Sequence, residues 1–482
     1  MNNYGRKITE KFQEPAFFKK AIIVIFSACW IYWIYLIFAS KMWIIADAIE
    51  YQRIGLRLHK YGWLYLFETG PHREPFYFAI IAASKHLSEI FHISHEIIQK
   101  FIQVIFLFAS QAFLLLLLGK LRIRNVIKAA VILYFGFSPA LVNAAVSSFS
   151  EIAVFPFVLA IVFFGALSWR AIYNSNIAKT ISLALCTSLS FVFAVFAKGI
   201  FQYIYPFFLI PCVFILVYSI IRKRKAVFWR AISYMLIVFL VFNLFTVSYK
   251  LMNKKYNGHF EFTNRYTLLL FGEAVQRTDP LTVKGLLSHL TYIPGRGVCR
   301  LFFSEEDCEA CGWLGGWHRQ TSLLPGLLEG VPESKVKQKT LSLTFQRISK
   351  NPLQYGLFTT IEALRMPFWE STKVGFVQYP LWIAKIFSSK WFRYPLRLII
   401  SILTYISLVG LMIFLFRNRN EFFHPDKEER FMICLAIFLL IFSYTGLYSL
   451  FSIVIRYSLP IASLYLMCIG LFIDRKIYKD DF

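Results

Sequence analysis

The first residues that could do chemistry follow the first apolar run of the chain. Asp47 lies a few residues after that run, and Glu50 and Tyr51 follow at i+3 and i+4. If this stretch is helical, the three side chains share one face. Asp47 could then act as a general base for a hydroxyl within hydrogen-bond reach, or it could cap the helix that follows it. The spacing alone favours the cap.

Charged residues at the edges of two later apolar runs form a second group of candidates, because charge at such a depth is costly and usually functional. Arg456 has a planar fork of donors that suits phosphate, or its side chain could extend to the membrane surface with Tyr457 as an interfacial neighbour. Lys198 has the same two alternatives, and the surface position is favoured there.

Three more charged residues could belong to the same site. Arg73 could bind the same anion as Arg456, or it could pair with Glu74, the next residue. Glu151 could be an acid of the site, or a carboxylate that is stabilised by the N-terminus of the helix it begins. No set of metal ligands is visible around these residues, so the sequence predicts no metal and no cofactor.

Three of the eight cysteines lie outside the apolar runs, at Cys299, Cys308 and Cys311. Outside the cytoplasm two of them could form a disulfide, which would leave one thiol over. A zinc site would need a fourth ligand, for which His318 is available, but one CxxC motif without a second is weak evidence for zinc. The spacing favours a disulfide.

The composition indicates that the chain is an integral membrane protein. The chain has 482 residues, of which 57% are hydrophobic and 16% charged, whereas soluble domains have about a quarter charged residues. The net charge of +25 would suggest nucleic acid in a soluble protein. In a membrane protein it needs no such partner, because basic residues collect in cytoplasmic loops.

Ten runs are long enough to cross a bilayer, which takes about 20 apolar residues. The sequence therefore predicts an all-α polytopic membrane protein. The ten runs lie near residues 21–40, 96–119, 127–146, 151–168, 180–197, 200–221, 229–250, 396–416, 431–449 and 457–473.

The basic residues predict the orientation of these spans. With both termini in the cytoplasm, the inner segments contain basic clusters such as Arg6 and Lys7, residues 222–225, and Lys479. The short outer turns then contain only Lys198 and Arg456. This asymmetry predicts that both termini are cytoplasmic.

Two outer segments are too long to be simple connectors, and long loops without function are unusual. Residues 41–95 are expected to form two amphipathic helices at the membrane surface. Residues 251–395 are expected to form a small outer domain that includes a helix over 336–366. The chain is thus predicted to contain a membrane module at 1–250, this outer region at 251–395, and further spans at 396–482.

The order of several motifs resembles the GT-C glycosyltransferases, in particular glycosyltransferase family 39, which includes protein O-mannosyltransferases and lipid A aminoarabinose transferases. The resemblance begins with Asp47-x3-Tyr51-x3-Gly55 and with residues 70–77, which include Arg73-Glu74-Pro75-Phe76-Tyr77. It continues with Ser138-Pro139, Ser150-Glu151, Lys198-Gly199, residues 347–355 and Arg456-Tyr457-Ser458-Leu459-Pro460. The family commonly has Glu after the catalytic Asp, where this chain has Ala48.

This resemblance implies an enzyme that transfers a sugar, hexosyl or pentosyl, from a polyprenyl-phosphate donor to a hydroxyl on the outer face of the cell membrane. The acceptor would be a lipid, a glycan or a protein. Asp47 would be the general base, and Arg456 the leading phosphate ligand. The other substrate-binding candidates are Tyr51, Arg73, Glu74, Tyr77, Glu151, Lys198 and Tyr457.

Two other functions are compatible with a polytopic chain of this kind. A transporter or flippase of lipid-linked saccharides would carry ionisable residues in the middle of its spans and often two similar halves, neither of which is evident. An O-antigen polymerase or ligase would use Arg and His residues of the long outer segment, such as His289, Arg296 or Arg319.

Overall fold

The computed structural model describes residues 11–174, 176–263, 266–372, 375–423, 429–451 and 453–477. Within these residues every element of regular secondary structure is a helix, apart from one pair of two-residue strands. Arg6, Lys7 and Lys479, on which part of the predicted orientation rests, lie outside the described residues. The prediction of an all-α polytopic membrane protein is confirmed.

The described residues contain nine helices that are long and apolar enough to cross a membrane, and one bent pair that could form a tenth span. Each coincides with one of the ten predicted runs. The nine are Pro15–Ala39 (α1), His95–Lys120, Glu151–Asn174, Ile177–Ala197, Gly199–Ile221, Lys225–Asn257, Lys390–Arg417, Glu429–Tyr448 and Ile455–Asp474.

The bent pair consists of Asn125–Phe137 and Pro139–Val146, with 44° between them. Proline lacks an N–H group and disfavours a helical conformation in the residue before it, so the helix breaks at Ser138. The carboxylate of Glu370 accepts hydrogen bonds from the Ser138 hydroxyl at 2.7 Å, the Ala140 N–H at 3.0 Å and the Tyr134 hydroxyl at 2.6 Å. Ser138-Pro139 thus marks a stabilised break in the span.

The first outer segment folds into the helices Asp47–Tyr61 (α2), Leu64–Glu68 and Pro75–Phe91 (α3). Tyr51, Ile54 and Leu58, which form the predicted apolar stripe, are buried at 4%, 0% and 4% exposure. At the contact between α2 and α3, a Cβ placed on Gly55 would lie 2.6 Å from Ile81 Cβ. Only glycine allows the two helices to approach this closely.

The second outer segment is a set of short helices. They are Tyr266–Thr278, Val283–Tyr292, Arg296–Cys299, Glu305–Ala310, Trp313–Leu327, Glu333–Lys350, Pro352–Ala363 and Leu381–Ser388. The helical stretch expected over 336–366 consists of two helices: the first ends before Asn351, and a second begins at Pro352, where proline is well tolerated as the first helical residue. The strand Lys41–Met42 pairs antiparallel with Val377–Gln378 and so joins the two outer segments.

The cysteines of the outer segment are arranged as the disulfide alternative requires. Cys299 and Cys308 form a disulfide, and Cys311 is a free, buried thiol. Its sulfur lies 3.2 Å from Ser288 Oγ and 3.3 Å from His289 Nδ1. Since the disulfide occupies two of the three thiols, the zinc alternative does not describe this structure.

Candidate active site

Asp47 is the first residue of α2, but its side chain does not cap that helix. The N-cap position belongs to Ala46, which has φ 52° and ψ −129°. This conformation is rare for a residue with a Cβ, and such strain is concentrated at functional sites. The Asp47 carboxylate instead bonds to two guanidinium groups, with Oδ1 accepting from Arg73 and Oδ2 from Arg456.

These two ion pairs determine the acidity of Asp47. Burial by itself would raise its pKa, because it disfavours the charged form. The positive charges of Arg456 and Arg73 outweigh this effect and hold the pKa of Asp47 well below its usual range. The carboxylate is therefore ionised in the resting protein at neutral pH.

Arg73 is buried and contacts more than one acidic group. Its Nε lies 2.8 Å from a carboxylate oxygen of Glu50, and its guanidinium lies over the Tyr51 ring at 4.7 Å from the centroid. The Tyr51 hydroxyl is 3.1 Å from Ser150 Oγ. Of the two alternatives for Arg73, pairing with Glu74 is wrong, because Glu50 and Asp47 occupy the guanidinium.

Lys198 and Glu151 form a second ion pair beside the first. The Lys198 amine is 2.8 Å from Glu151 Oε1, and Arg456 Nε is 3.8 Å from the same oxygen. Lys198 is only 7% exposed, so the expectation that it extends to the membrane surface is wrong. Its charge is held inside the fold by Glu151 and by the Tyr457 ring, whose centroid is 5.3 Å away.

Glu74 links this region to the second outer segment. Its Oε1 accepts hydrogen bonds from the Gly199 N–H at 2.8 Å and from the Tyr266 hydroxyl at 3.3 Å. A Cβ on Gly199 would lie 2.8 Å from that hydroxyl and 3.1 Å from Glu74 Oε1. The glycine of Lys198-Gly199 thus leaves room for Glu74 to reach the backbone.

Asp47 and Arg456 line a single cavity of about 120 Å³. Other predicted site residues that line it are Tyr51, Arg73, Glu74, Lys198 and Tyr457. Glu151 is buried next to it and reaches it through Lys198 and Arg456. Tyr77 does not line it: this side chain is fully buried behind Tyr51 and donates a hydrogen bond to Gln103 at 2.7 Å.

Several residues of the cavity could not be found from the sequence, because they lie outside all of the motifs. They are Thr263, Tyr266, Leu269, Glu273, Trp313, Gly316, Trp317, Gln320, Tyr448 and Phe451. Among them, Glu273 is a buried acid, and burial raises its pKa to about 7 despite the nearby Arg277 guanidinium.

One group of three side chains could hold a metal ion in the part of the chain that the structure describes. It consists of His59, His86 and Glu89, with ligand atoms within 4.8 Å of one another. His59 is twelve residues after Asp47 on the same helix, which places its backbone about 18 Å away. This group is therefore separate from the Asp47 cavity.

No protein-family model matches the chain, and no curated protein does. Among solved structures, it is similar to the archaeal oligosaccharyltransferase AglB from Archaeoglobus fulgidus in complex with an inhibitory peptide and a dolichol-phosphate. The TM-score is 0.46 at 10% identity, and the match covers 94% of this chain and 50% of that one. The chain therefore spans about half the length of AglB.

The chain is also similar to ArnT from Cupriavidus metallidurans in the apo state. The TM-score is 0.34 at 10% identity, with 94% of this chain and 78% of that one covered.

Proposed function

We propose that this polytopic membrane protein is a glycosyltransferase that moves a sugar from a polyprenyl-phosphate donor to an acceptor hydroxyl. The observation that carries the proposal is the contact of Asp47 with both Arg73 and Arg456 in one cavity, beside the Lys198–Glu151 pair. A carboxylate base and several cations in one site are what the departure of a lipid phosphate requires.

The protein lies in the plasma or inner membrane with both termini in the cytoplasm. The distribution of basic residues between inner and outer segments supports this orientation. The cavity, which is next to Lys198 and Arg456 at the ends of spans, then lies on the outer face. Donor sugars on polyprenyl phosphate are reached from the bilayer at this level, so no nucleotide sugar is needed.

The resting cavity must open before a donor can bind. Ligand sites for small molecules usually have about 300–1,000 Å³, whereas this cavity has about 120 Å³. Arg73 and Arg456 are bound to Asp47 in the resting state, and a donor phosphate would compete for both. As these ion pairs open, the pKa of Asp47 rises, because opposite charges lower a carboxyl pKa.

The chemistry then proceeds as a displacement at the anomeric carbon. The acceptor oxygen forms a bond to that carbon, and its proton goes to the carboxylate of Asp47. The bond from the carbon to the phosphate oxygen breaks, and its electron pair leaves with the lipid phosphate. Arg456, with Lys198 beside it, offsets the charge on that phosphate, and the attack inverts the anomeric centre.

A transfer assay tests the proposal. Purified protein with a radiolabelled polyprenyl-phosphate monosaccharide and a membrane extract as acceptor is expected to release free polyprenyl phosphate. Asp47→Asn is expected to lower turnover by at least about 10²-fold, as loss of a general base does. The matched control is Asp307→Asn, a half-buried partner of Lys284 in the outer segment that does not line the Asp47 cavity, which is expected to keep full activity.

Turnover that persists in Asp47→Asn would refute the role of Asp47. Growth of polymer from lipid-linked oligosaccharide, without turnover of any lipid-linked monosaccharide, would favour the polymerase alternative. The residues available to that alternative already have partners: Arg296 pairs with Glu305 and Glu309, and Arg319 pairs with Asp279 at 2.9 Å. Movement of a lipid-linked saccharide across the bilayer without bond cleavage would favour the transporter.

A further inference from the structure

A second cavity, of about 710 Å³, lies beside the first. Trp313 lines both cavities, and Ile455, the neighbour of Arg456 in the chain, lines the larger one. Its walls come from the turn that follows Tyr292, from Phe368, and from the first turns of the span Lys390–Arg417. This volume is in the range of sites that hold whole ligands.

The cations of this second cavity differ in their pairing. Arg365 is 2.6 Å from Glu362 Oε1, and Arg296 pairs with Glu305 and Glu309. Three others, Lys390, Arg393 and Arg397, have no carboxylate within ion-pair distance among the residues that the structure describes. They lie at i, i+3 and i+7 of one helix, so they share a face.

Arg397 is built into the wall of the cavity. Its Nε is buried without a hydrogen-bond partner in the described structure. Its Nη1 lies 3.0 Å from the point where a Cβ on Gly295 would be, and its guanidinium is 5.7 Å from the centre of the Phe368 ring. A buried donor that lacks an acceptor is unfavourable, so this guanidinium is arranged for an anion that the cavity receives.

The position of the cavity indicates an amphiphilic ligand. Trp391, next to Lys390, is 91% exposed, and Leu398 is 55% exposed. Exposed Trp and apolar residues at the start of a span mark the membrane interface. With the proposed orientation this is the outer interface, where three unpaired cations are contrary to the usual distribution of Lys and Arg.

We propose that the second cavity binds the phosphate group of a lipid acceptor, with Arg393 and Arg397 as the phosphate ligands. The role as acceptor rests on the proposed function. Because Arg73, Arg456 and Lys198 serve the donor phosphate in the first cavity, the second set of cations is left for a second anion. A lipid anchored there would present its hydroxyl groups toward Asp47 past Trp313 and Ile455.

Binding of a model lipid tests the site without turnover. Native mass spectrometry of the full-length protein in neutral detergent would be recorded with phosphatidic acid, phosphatidylcholine and inorganic phosphate in turn. Phosphatidic acid is expected to bind with one-to-one stoichiometry and phosphatidylcholine at least about 10-fold more weakly. Arg393→Ala/Arg397→Ala is expected to weaken phosphatidic acid binding at least about 10-fold, as loss of charge-assisted hydrogen bonds does.

The matched control is Lys385→Ala, an exposed lysine on the preceding helix that does not line the cavity, which is expected to bind like the wild type. Because Arg397 is packed inside the fold, Arg393→Gln provides a second variant, for which about 3-fold weaker binding is expected. Wild-type affinity in both Arg variants, or equal binding of the two lipids, would overturn the site. Displacement of phosphatidic acid by equimolar inorganic phosphate would overturn the assignment to a lipid.

Donor binding separates this proposal from the function on which it rests. Retention of a radiolabelled polyprenyl-phosphate sugar is expected to be unchanged in Arg393→Ala/Arg397→Ala. If the wild type retains no donor but phosphatidic acid binding depends on the two arginines, the proposed function fails and the lipid site stands. If donor binding is normal and phosphatidic acid binding does not depend on the two arginines, the lipid site fails and the proposed function stands.

Discussion

Two carboxyl groups of the Asp47 cavity have opposite environments. Asp47 contacts two guanidinium groups, which hold its pKa far below the ordinary value. Burial raises the pKa of Glu273, which lines the same cavity, to about 7. One acid is thus permanently charged in the resting protein, while the other changes its charge within the physiological range.

The pH dependence of activity follows from this difference. The value of kcat/KM reports groups of the free enzyme, and Asp47 stays ionised in the free enzyme over pH 5 to 8. In a Glu273→Gln background, kcat/KM for the donor is therefore expected to show no acidic limb in this range. An acidic limb near pH 6 in that background, measured by release of polyprenyl phosphate, would mean that the arginines do not control Asp47.

Glu273 also makes the stability of the fold depend on pH. The folded protein retains a proton on Glu273 up to about pH 7, whereas the unfolded chain loses it near the ordinary value of about 4.3. The contribution of Glu273 to stability is therefore fully present below the unfolded pKa and is lost as the pH rises through about 7, a total of about 4 kcal/mol.

The Glu273→Gln variant cannot ionise at this position, so it does not lose this stability as the pH rises. The difference in Tm between wild type and variant in detergent is therefore expected to be more favourable to the wild type at pH 5 than at pH 8. An equal difference at both pH values would show that Glu273 titrates normally. Asp279→Asn, at a half-exposed pair with Arg319 in the same outer segment, is the control.

At the level of residues, the sequence predicted several residues of the cavity but not their ion-pair partners. Asp47, Lys198 and Arg456 could be predicted as candidate site residues because a charged residue at the end of an apolar run is energetically costly and usually functional. The partner of Arg73 could not, because the adjacent Glu74 is nearer in sequence than Asp47. Tyr266 and Glu273 carry no motif, and only the fold brings them to the cavity.

The helices α2 and α3 hold Asp47 and Arg73 against each other, and their spacing depends on one glycine. Gly55→Ala would place a Cβ 2.6 Å from Ile81 Cβ, so one helix must shift. Overpacking of this kind destabilises by about 1–3 kcal/mol. We expect a lower Tm and at least about 10-fold lower turnover. Misplacement of a reacting group by about 1 Å can lower the rate by about 10²-fold.

The control for this change is Gly119→Ala, near the end of the span His95–Lys120, where a Cβ would meet nothing within 4 Å. Alanine is the better helix former, so this variant is expected to keep its activity and to unfold at the same or a slightly higher temperature. A Gly55→Ala protein that matches it in both measurements would contradict the close-packing argument.

Most elements could be predicted because apolar length and periodicity define them. The nine long apolar helices, the bent pair and the buried stripe of Tyr51, Ile54 and Leu58 lie where the sequence predicted them among the residues that the structure describes. The breaks at Ser138 and Asn351 could not be placed from hydropathy, since proline changes backbone geometry without changing the apolar pattern. The pairing of Lys41–Met42 with Val377–Gln378 could not be predicted either, because a strand of two residues is too short to show an alternating apolar pattern.

For the whole molecule, the orientation in the membrane is the prediction with the widest consequences. In intact cells, a membrane-impermeant maleimide is expected to modify Ser349→Cys, an exposed position of the helix Glu333–Lys350. Lys225→Cys, exposed at the start of the span Lys225–Asn257, is expected to react only after lysis. Mass spectrometry of the unsubstituted protein gives the background from its six native thiols.

Modification of Lys225→Cys in intact cells, with Ser349→Cys protected, would invert the molecule and place both cavities on the cytoplasmic side. The proposed donor and acceptor would then have to be reached from the other leaflet.

The ion pair between Asp47 and Arg456 also has a meaning for biosynthesis, since the two residues are 409 positions apart. During translation, the acid emerges near the beginning of the chain and its second guanidinium only with the final span. Nascent or prematurely terminated chains therefore lack a complete centre, however well their earlier helices insert. The group of ion pairs around Asp47 is therefore complete only once the segment that contains Arg456 has been synthesised.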